Sequence, residues 1–74
     1  MKAFSSEAFA QRLSELMQEK DVNQSQLAKI TNVSNEAVSA WLLKKREPMV
    51  SSLCKIAIFF DCSLEYLIGN SDDF

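Results

Sequence analysis

Residues 23–48 read NQSQLAKITNVSNEAVSAWLLKKREP, and this stretch decides the fold. Asn23 followed three residues later by Gln26 is a variant of the capping box that begins an α-helix. Apolar side chains then recur at helical spacing as far as Thr31. The spacing therefore predicts a short helix that begins after Asn23 and ends near Thr31.

A second helix is expected directly after the first. Asn32 tolerates a left-handed turn, and Val33 is an apolar residue that should face inward. Ser34 is a good N-cap for a helix over residues 35–44, whose outer face is polar. Two short helices joined by such a turn form a helix-turn-helix pattern. On the residues alone, a purely structural helical corner remains an alternative.

Apolar periodicity predicts further helices over residues 6–19 and 50–60, and a short one within SLEYLIG that Ser63 caps and Gly69 terminates. The inward stripes are Phe9, Leu13, Leu16 and Met17 in the first helix, Leu27, Ala28 and Ile30 in the second, Val38, Trp41 and Leu42 in the third, and Val50, Leu53, Ile56, Ala57 and Phe60 in the fourth. We expect the acidic tail at residues 70–74 to fray.

The composition agrees with an all-α fold. The chain has 74 residues, which predicts a single domain over residues 1–74 with its core at about 6–69. One Gly and one Pro are too few for a protein built on hairpins. Apolar residues make up 47% of the chain, which is normal for a globular protein and excludes disorder.

Several classes of function are unfavoured. No apolar run approaches the ~18 residues of a membrane span, and the N-terminus lacks a signal peptide, so a cytoplasmic protein is expected. Cys54 and Cys62 lie at opposite ends of one predicted helix, too far apart for a disulfide, and are expected to be free thiols with some burial. Without His or a CxxC pair, we expect no metal, no cofactor and no catalytic site.

The sequence resembles the phage-repressor-type helix-turn-helix family, the lambda-repressor-like or Xre group. The resemblance rests on NQSQLAKITNVSNEAVSAWLLKKREP and on the later run LCKIAIFFDCSLEYLIG, and it covers roughly residues 8–69. The resemblance implies a five-helix domain that binds double-stranded DNA, with the helix-turn-helix formed by helices 2 and 3. It also implies a transcriptional regulator, expected to be a repressor, that works as a homodimer.

The resemblance assigns roles to individual residues. Gln24 matches the residue that holds a phosphate at the start of helix 2, where free N–H groups and the helix dipole favour an anion. The residues that match positions facing base edges in the major groove are Asn35, Glu36, Ser39 and Ala40. The residues expected at phosphates are Asn23, Gln24, Lys44, Lys45 and Arg46. For each of these, a solvated surface residue is the alternative.

The overall charge of −2 is unusual for a protein that binds DNA, because nucleic-acid-binding domains are typically basic. From Gln24 to Arg46, however, four basic residues stand against Glu36 alone, which gives +3. The rest of the chain has four basic and nine acidic residues, which gives −5. The basic cluster at residues 44–46 therefore supplies positive potential beside the predicted reading helix.

Departures from the family pattern support an alternative, a protein-interaction module on the same fold with weak or no DNA binding. Lys44 stands where the family has Gly, and Leu43 replaces an Asn. Exposed apolar residues would mark a protein interface, and the candidates are Leu43, Met49, Ile58 and Phe74, although Met49 and Ile58 fit the core equally well. Met17 and Leu42 occupy two positions that form an ion pair in the family, and we expect them to pack together.

Overall fold

The computed structural model describes residues 4–74; residues 1–3, which the single-domain expectation includes, lie outside the described residues. The described chain folds into five helices and contains no strand, which confirms the predicted all-α architecture. The helices are α1 Ser6–Glu19, α2 Gln24–Thr31, α3 Asn35–Leu42, α4 Val50–Phe60 and α5 Leu64–Leu67. Helix α2 packs on α3 and α4, while α1 packs on α3 and α5.

Side chains set four of the helix starts. The Asn23 side chain accepts from the Gln26 N–H at 2.8 Å, and Gln26 Oε1 accepts from the Asn23 N–H at 2.8 Å, so the predicted capping box is complete. Ser5, Ser34 and Ser63 cap α1, α3 and α5 by accepting a backbone N–H three residues ahead. Each cap satisfies one of the N–H groups that a helix start leaves free.

All five described helices end at a residue with positive φ. These residues are Asp21, Asn32, Lys44, Asp61 and Gly69. In each case the N–H of this residue and the N–H of the next one donate back to carbonyls of the last helical turn. This double hydrogen bond is the Schellman motif, which satisfies carbonyls that the helix end would leave free. It ends α3 at Leu42, so the predicted extension to residue 44 is wrong.

The C-terminal end of α5 requires a glycine. Gly69 has φ +87°, and a Cβ there would lie 2.7 Å from Ala8 Cβ on α1. The close approach of the α5 end to α1 therefore depends on the absence of a side chain.

One apolar cluster joins the helices. Its largest fully buried members include Phe9, Leu13, Leu27, Ile56 and Phe60, in agreement with the predicted stripes. The prediction for Val50 is wrong, because this side chain is 73% exposed on the outer face of α4. Met49 and Ile58 are also exposed, so neither belongs to the core.

The acidic tail does not fray. The Arg12 guanidinium on α1 donates to the carbonyl of Tyr66 and, at 2.6 Å, to the carbonyl of Ser71. It also forms an ion pair with Asp72 at 2.9 Å and lies 4.3 Å from the centre of the Tyr66 ring. The Ser63 N–H donates to the Phe74 carbonyl at 2.9 Å. The tail is thus folded back on α5 and held by α1.

Replacing Arg12 by Ala should lower the free energy of unfolding by about 2 kcal/mol, because hydrogen bonds to a charged group contribute about 1.5–3 kcal/mol. The ion pair adds little, since Asp72 is fully exposed. Arg12→Lys should recover less than half of the loss, since Lys lacks the planar fork of donors. Urea unfolding would measure both variants. Equal stability of Arg12→Ala and the original chain would show that the tail contributes nothing.

Both cysteines are free and half-buried, as expected. Burial raises the pKa of the Cys62 thiol, and the charge of Asp61 raises this pKa further. Within residues 4–74, no helix is long and apolar enough to cross a membrane, and no group of three His, Cys, Asp or Glu side chains could hold a metal ion.

Candidate nucleic-acid interface

The N-terminus of α2 offers free backbone donors next to an exposed amide. The capping box uses the N–H of Gln26 and the side-chain oxygen of Asn23. The N–H groups of Gln24 and Ser25 have no acceptor within the helix, because they belong to its first turn. Both side chains are exposed. An anion that approaches this end therefore meets two backbone donors and the Gln24 amide.

Helix α3 presents its first turn to solvent. Asn35 and Glu36 follow the Ser34 cap and are both exposed. Ser39 and Ala40 lie one turn further along and are half-buried. The four side chains predicted to face base edges are therefore accessible to solvent, although Ser39 and Ala40 are less exposed than Asn35 and Glu36. Val38 and Trp41 hold the opposite face of α3 in the core.

The basic residues 44–46 begin directly after Leu43, the residue that caps the end of α3. The Lys44 N–H donates to the Trp41 carbonyl at 3.1 Å, and the Lys45 N–H donates to the Ala40 carbonyl at 2.9 Å. These two bonds fix the backbone of the cluster relative to α3. Lys44, Lys45 and Arg46 are all exposed.

The cations of this surface carry no internal partner. Arg12 with Asp72 is the ion pair found within 4.0 Å among residues 4–74. Lys29, Lys44, Lys45 and Arg46 therefore have no carboxylate at that distance within the described chain. Their charges remain available to an external polyanion. Three exposed carboxylates lie near them: Glu36 on α3, Glu47 directly after Arg46, and Glu7, which lines a cavity with Lys44.

A groove of two adjoining cavities separates the α2 start from the basic cluster. Gln24 lines the first cavity and Lys44 lines the second, while Ser14 and Leu42 line both. Met17 and Val22 belong to the first cavity. The structure thus places Gln24 and Lys44 at two neighbouring cavities that share Ser14 and Leu42.

The expected packing of Met17 against Leu42 is supported in part. Met17 is 8% exposed, Leu42 is half-buried, and both line the same cavity. Helices α1 and α3, which carry them, pack on each other. Direct contact between the two side chains stays a prediction.

The backbone conformation of Lys44 should lower the free energy of unfolding of the chain. It has φ 64°, and unlike Asp21, Asn32 and Asp61 it lacks a short polar side chain suited to the left-handed region. Lys44→Gly should raise the free energy of unfolding by about 1 kcal/mol. Thermal unfolding without DNA would measure it.

Lys45→Gly is the matched control, because Lys45 is also exposed but does not have positive φ. This variant should give no gain. An equal gain in both variants would show that φ at residue 44 is not the cause.

Sequence reasoning missed one candidate at this surface. Ser25 lies beside Gln24 and adds a hydroxyl and a free N–H to the same helix start. The capping box contained the signal, since pairing Asn23 with Gln26 leaves the two intervening N–H groups without partners.

Helices α2 and α3 are joined through the left-handed Asn32, and α3 has an exposed polar face followed by unpaired cations. This arrangement is a helix-turn-helix domain. The family comparison agrees. Residues 13–67 match the helix-turn-helix family model HTH_3, and the chain belongs to this family of Xre- and lambda-repressor-like domains.

Two solved structures share the fold. A transcriptional regulator from Listeria innocua has a TM-score of 0.81 and 27% identity over 89% of this chain. The present chain spans only 62% of the length of that protein. The restriction-modification controller protein C.AhdI from Aeromonas hydrophila has a TM-score of 0.72 and 27% identity, over 81% of this chain and 91% of its own. No curated protein sequence matches the chain significantly.

Proposed function

We propose that this chain is a repressor that binds double-stranded DNA as a homodimer and reads the major groove with α3. One observation carries the proposal. The exposed first turn of α3 and the unpaired cations at residues 44–46 lie at the two ends of a single eight-residue helix. An α-helix with its side chains is about 10–12 Å in diameter, which fits the major groove of about 12 Å.

The exposed side chains of α3 suit base edges. The Asn35 amide NH₂ can donate to adenine N7 while its amide oxygen accepts from adenine N6, and Glu36 can accept from N4 of cytosine. Ala40 is recessed, so a thymine methyl group is the partner that fits it. These residues would supply the sequence preference of the protein.

The phosphate contacts would come from two places on the protein, the start of α2 and the basic cluster that follows α3. Gln24 and Ser25 would hold one phosphate at the α2 start, and Asn23 would contribute through its amide NH₂, because its oxygen caps the helix. Lys44, Lys45 and Arg46 would hold the backbone beyond the other end of α3. Such contacts fix the register of α3 but carry no sequence information.

Selection of duplexes from a random DNA pool tests the proposal. The enriched sequences should form a palindrome whose half-sites lie about one helical turn, or ~10 bp, apart. The bound dimer would repress by covering promoter DNA. If no duplex binds better than the unselected pool at low salt, the DNA-reading proposal is wrong.

The affinity for the selected duplex should fall steeply with salt. The slope of log affinity against log salt is about −0.9 per neutralised phosphate. The double variant Lys45→Ala, Arg46→Ala should reduce the magnitude of this slope by about 1.8 per protomer if each residue neutralises one phosphate. A fluorescence-anisotropy titration at several salt concentrations measures both proteins.

The matched control is Lys20→Ala, Lys55→Ala, which removes the same charge from exposed positions outside the interface. This control should leave the slope nearly unchanged. An equal reduction in both double variants would assign the effect to net charge and not to contacts by residues 45 and 46.

A further inference from the structure

Helix α4 has apolar side chains on both faces. Its inner face enters the core through Leu53, Ile56 and Phe60. On the outer face, Val50, Cys54 and Ile58 follow one another at intervals of four residues, which places them in one row along the helix. Val50 is 73% and Ile58 is 80% exposed.

Two neighbouring side chains widen this row. Met49, which directly precedes α4, is 74% exposed, and Phe59, next to Ile58, is 45% exposed. We call these five residues the α4 ridge: Met49, Val50, Cys54, Ile58 and Phe59. The outer faces of the other long helices are polar, with Gln11, Ser14, Glu15 and Gln18 on α1.

We infer that the α4 ridge is the surface on which a second copy of this chain docks. We place Ile58 next to the two-fold axis because it is the most exposed side chain of the ridge, at 80%. The inference rests on the proposed homodimer and identifies the part of the chain that forms it. Most soluble oligomers are symmetric dimers that use the same patch on both subunits.

The exposed area of the α4 ridge is close to the apolar area that one subunit buries in a homodimer. With about 150–200 Å² for a fully exposed side chain of this size, the exposed parts of Met49, Val50, Ile58 and Phe59 offer roughly 400–550 Å². A standard interface buries about 800 Å² per partner, of which about 65% is apolar in homodimers. The ridge thus supplies the apolar area that one subunit of a stable dimer needs.

DNA does not fit the ridge as an occupant. The ridge is apolar, whereas the phosphate backbone requires cations and hydrogen-bond donors. It also lies on a different helix from Asn35 and Glu36, so docking through α4 leaves the reading side chains of α3 free. A dimer formed there could hold two reading helices at once.

Ile58→Asp tests the surface. The substitution places a charge at the centre of the proposed interface but changes no buried residue, so the fold should persist. Sedimentation equilibrium of the original chain over a concentration series should show a dimer, and Ile58→Asp should raise the dimer Kd about a hundredfold or more. Gln11→Asp introduces the same charge on the exposed face of α1 and should leave the Kd unchanged. Circular dichroism of the two variants checks the fold.

Crosslinking tests the axis. A disulfide requires Cα atoms within about 7 Å, so a residue joins its own copy only near a two-fold axis. With Cys54 and Cys62 both replaced by Ala, oxidation of Ile58→Cys should yield covalent dimers. Glu15→Cys in the same background should not.

The outcomes separate this inference from the proposed function. A chain that stays monomeric at every concentration, or an Ile58→Asp variant that dimerises as well as the original, overturns the inference even if DNA binding is specific. A dimer that depends on Ile58 but selects no duplex supports the inference and refutes the DNA proposal. Dimerisation without crosslinking at residue 58 overturns the assigned axis.

Discussion

Met17→Arg should lower the free energy of unfolding by about 3 kcal/mol. Met17 is 8% exposed, so an arginine there brings a positive charge to the edge of the core, where Asp21 is the carboxylate that lines the same cavity. An uncompensated buried charge costs about 3–5 kcal/mol. The lower value is expected because the adjoining groove lets the guanidinium reach towards water. Urea unfolding, followed by circular dichroism, would measure the loss.

Adding Leu42→Glu should restore part of that stability. Met17 and Leu42 line the same cavity, so Arg and Glu at these positions can form an ion pair there. Coupling between contacting residues is typically about 0.5–3 kcal/mol, and a double-mutant cycle measures it. The Leu42→Glu variant alone completes the cycle.

Leu43→Glu is the matched control for this rescue. Leu43 is the next residue along the chain and is 57% exposed, so a carboxylate there adds the same charge without facing the cavity. It should not restore the Met17→Arg variant. If Leu42→Glu and Leu43→Glu restore the same stability, Met17 does not pack against Leu42. The regained stability would then be due to net charge alone.

The helix starts could be predicted because their causes are local. Asn23 and the serines at 34 and 63 each accept from the backbone N–H three residues ahead. The pattern of side chains that produces a cap therefore lies within a few letters of sequence. The left-handed end at Asn32 was predictable for the same reason, since the residue type itself tolerates that backbone.

The course of the tail could not be predicted because its partners are distant in sequence. Arg12 and Ser71 are separated by 59 positions, and nothing in the spacing of either segment indicates the other. An acidic stretch at the end of a chain is ordinarily solvated. Only the fold shows that the end of α5 lies beside α1, where Arg12 finds free carbonyls.

Periodicity predicted the length of α4 but not all of its buried face. Apolar residues occupy both sides of the helix, so Val50 fits an inward stripe as well as Ile56 does. In the structure Ile56 is fully buried and Val50 is exposed. Which side of α4 is buried depends on α2 and α5, which pack on one side of it. The sequence of α4 alone does not reveal the positions of these two helices.

In the candidate site, too, features with local causes could be predicted, whereas features that depend on the packing of distant segments could not. The exposure of Asn35 and of the basic cluster follows from the polar face of α3 and is present in the structure. The two neighbouring cavities lined by Gln24 and by Lys44 share Ser14 of α1 and Leu42 of α3, so they require the packing of α1 on α3, which the sequence alone does not reveal.

Asn35→Ala should change which DNA sequences are bound. A bidentate pair between asparagine and adenine contributes about 1–3 kcal/mol of discrimination against other bases. Without it, the preference at one base pair in each half-site should fall roughly 5- to 150-fold, while the preferences at the remaining positions stay. Binding measurements on the selected duplex and its single-base variants would reveal the lost position.

Gln24→Ala is the matched comparison, because the two residues have equivalent places in the fold. Each is the first residue of an eight-residue helix, each follows a side-chain cap, and each is exposed. Either substitution should therefore disturb the fold equally little. If Gln24 holds a phosphate, its loss weakens binding to every duplex by a similar factor, because a phosphate contact carries no sequence information. Should Asn35→Ala also weaken all duplexes alike, Asn35 does not read a base, and the first turn of α3 contacts the backbone instead.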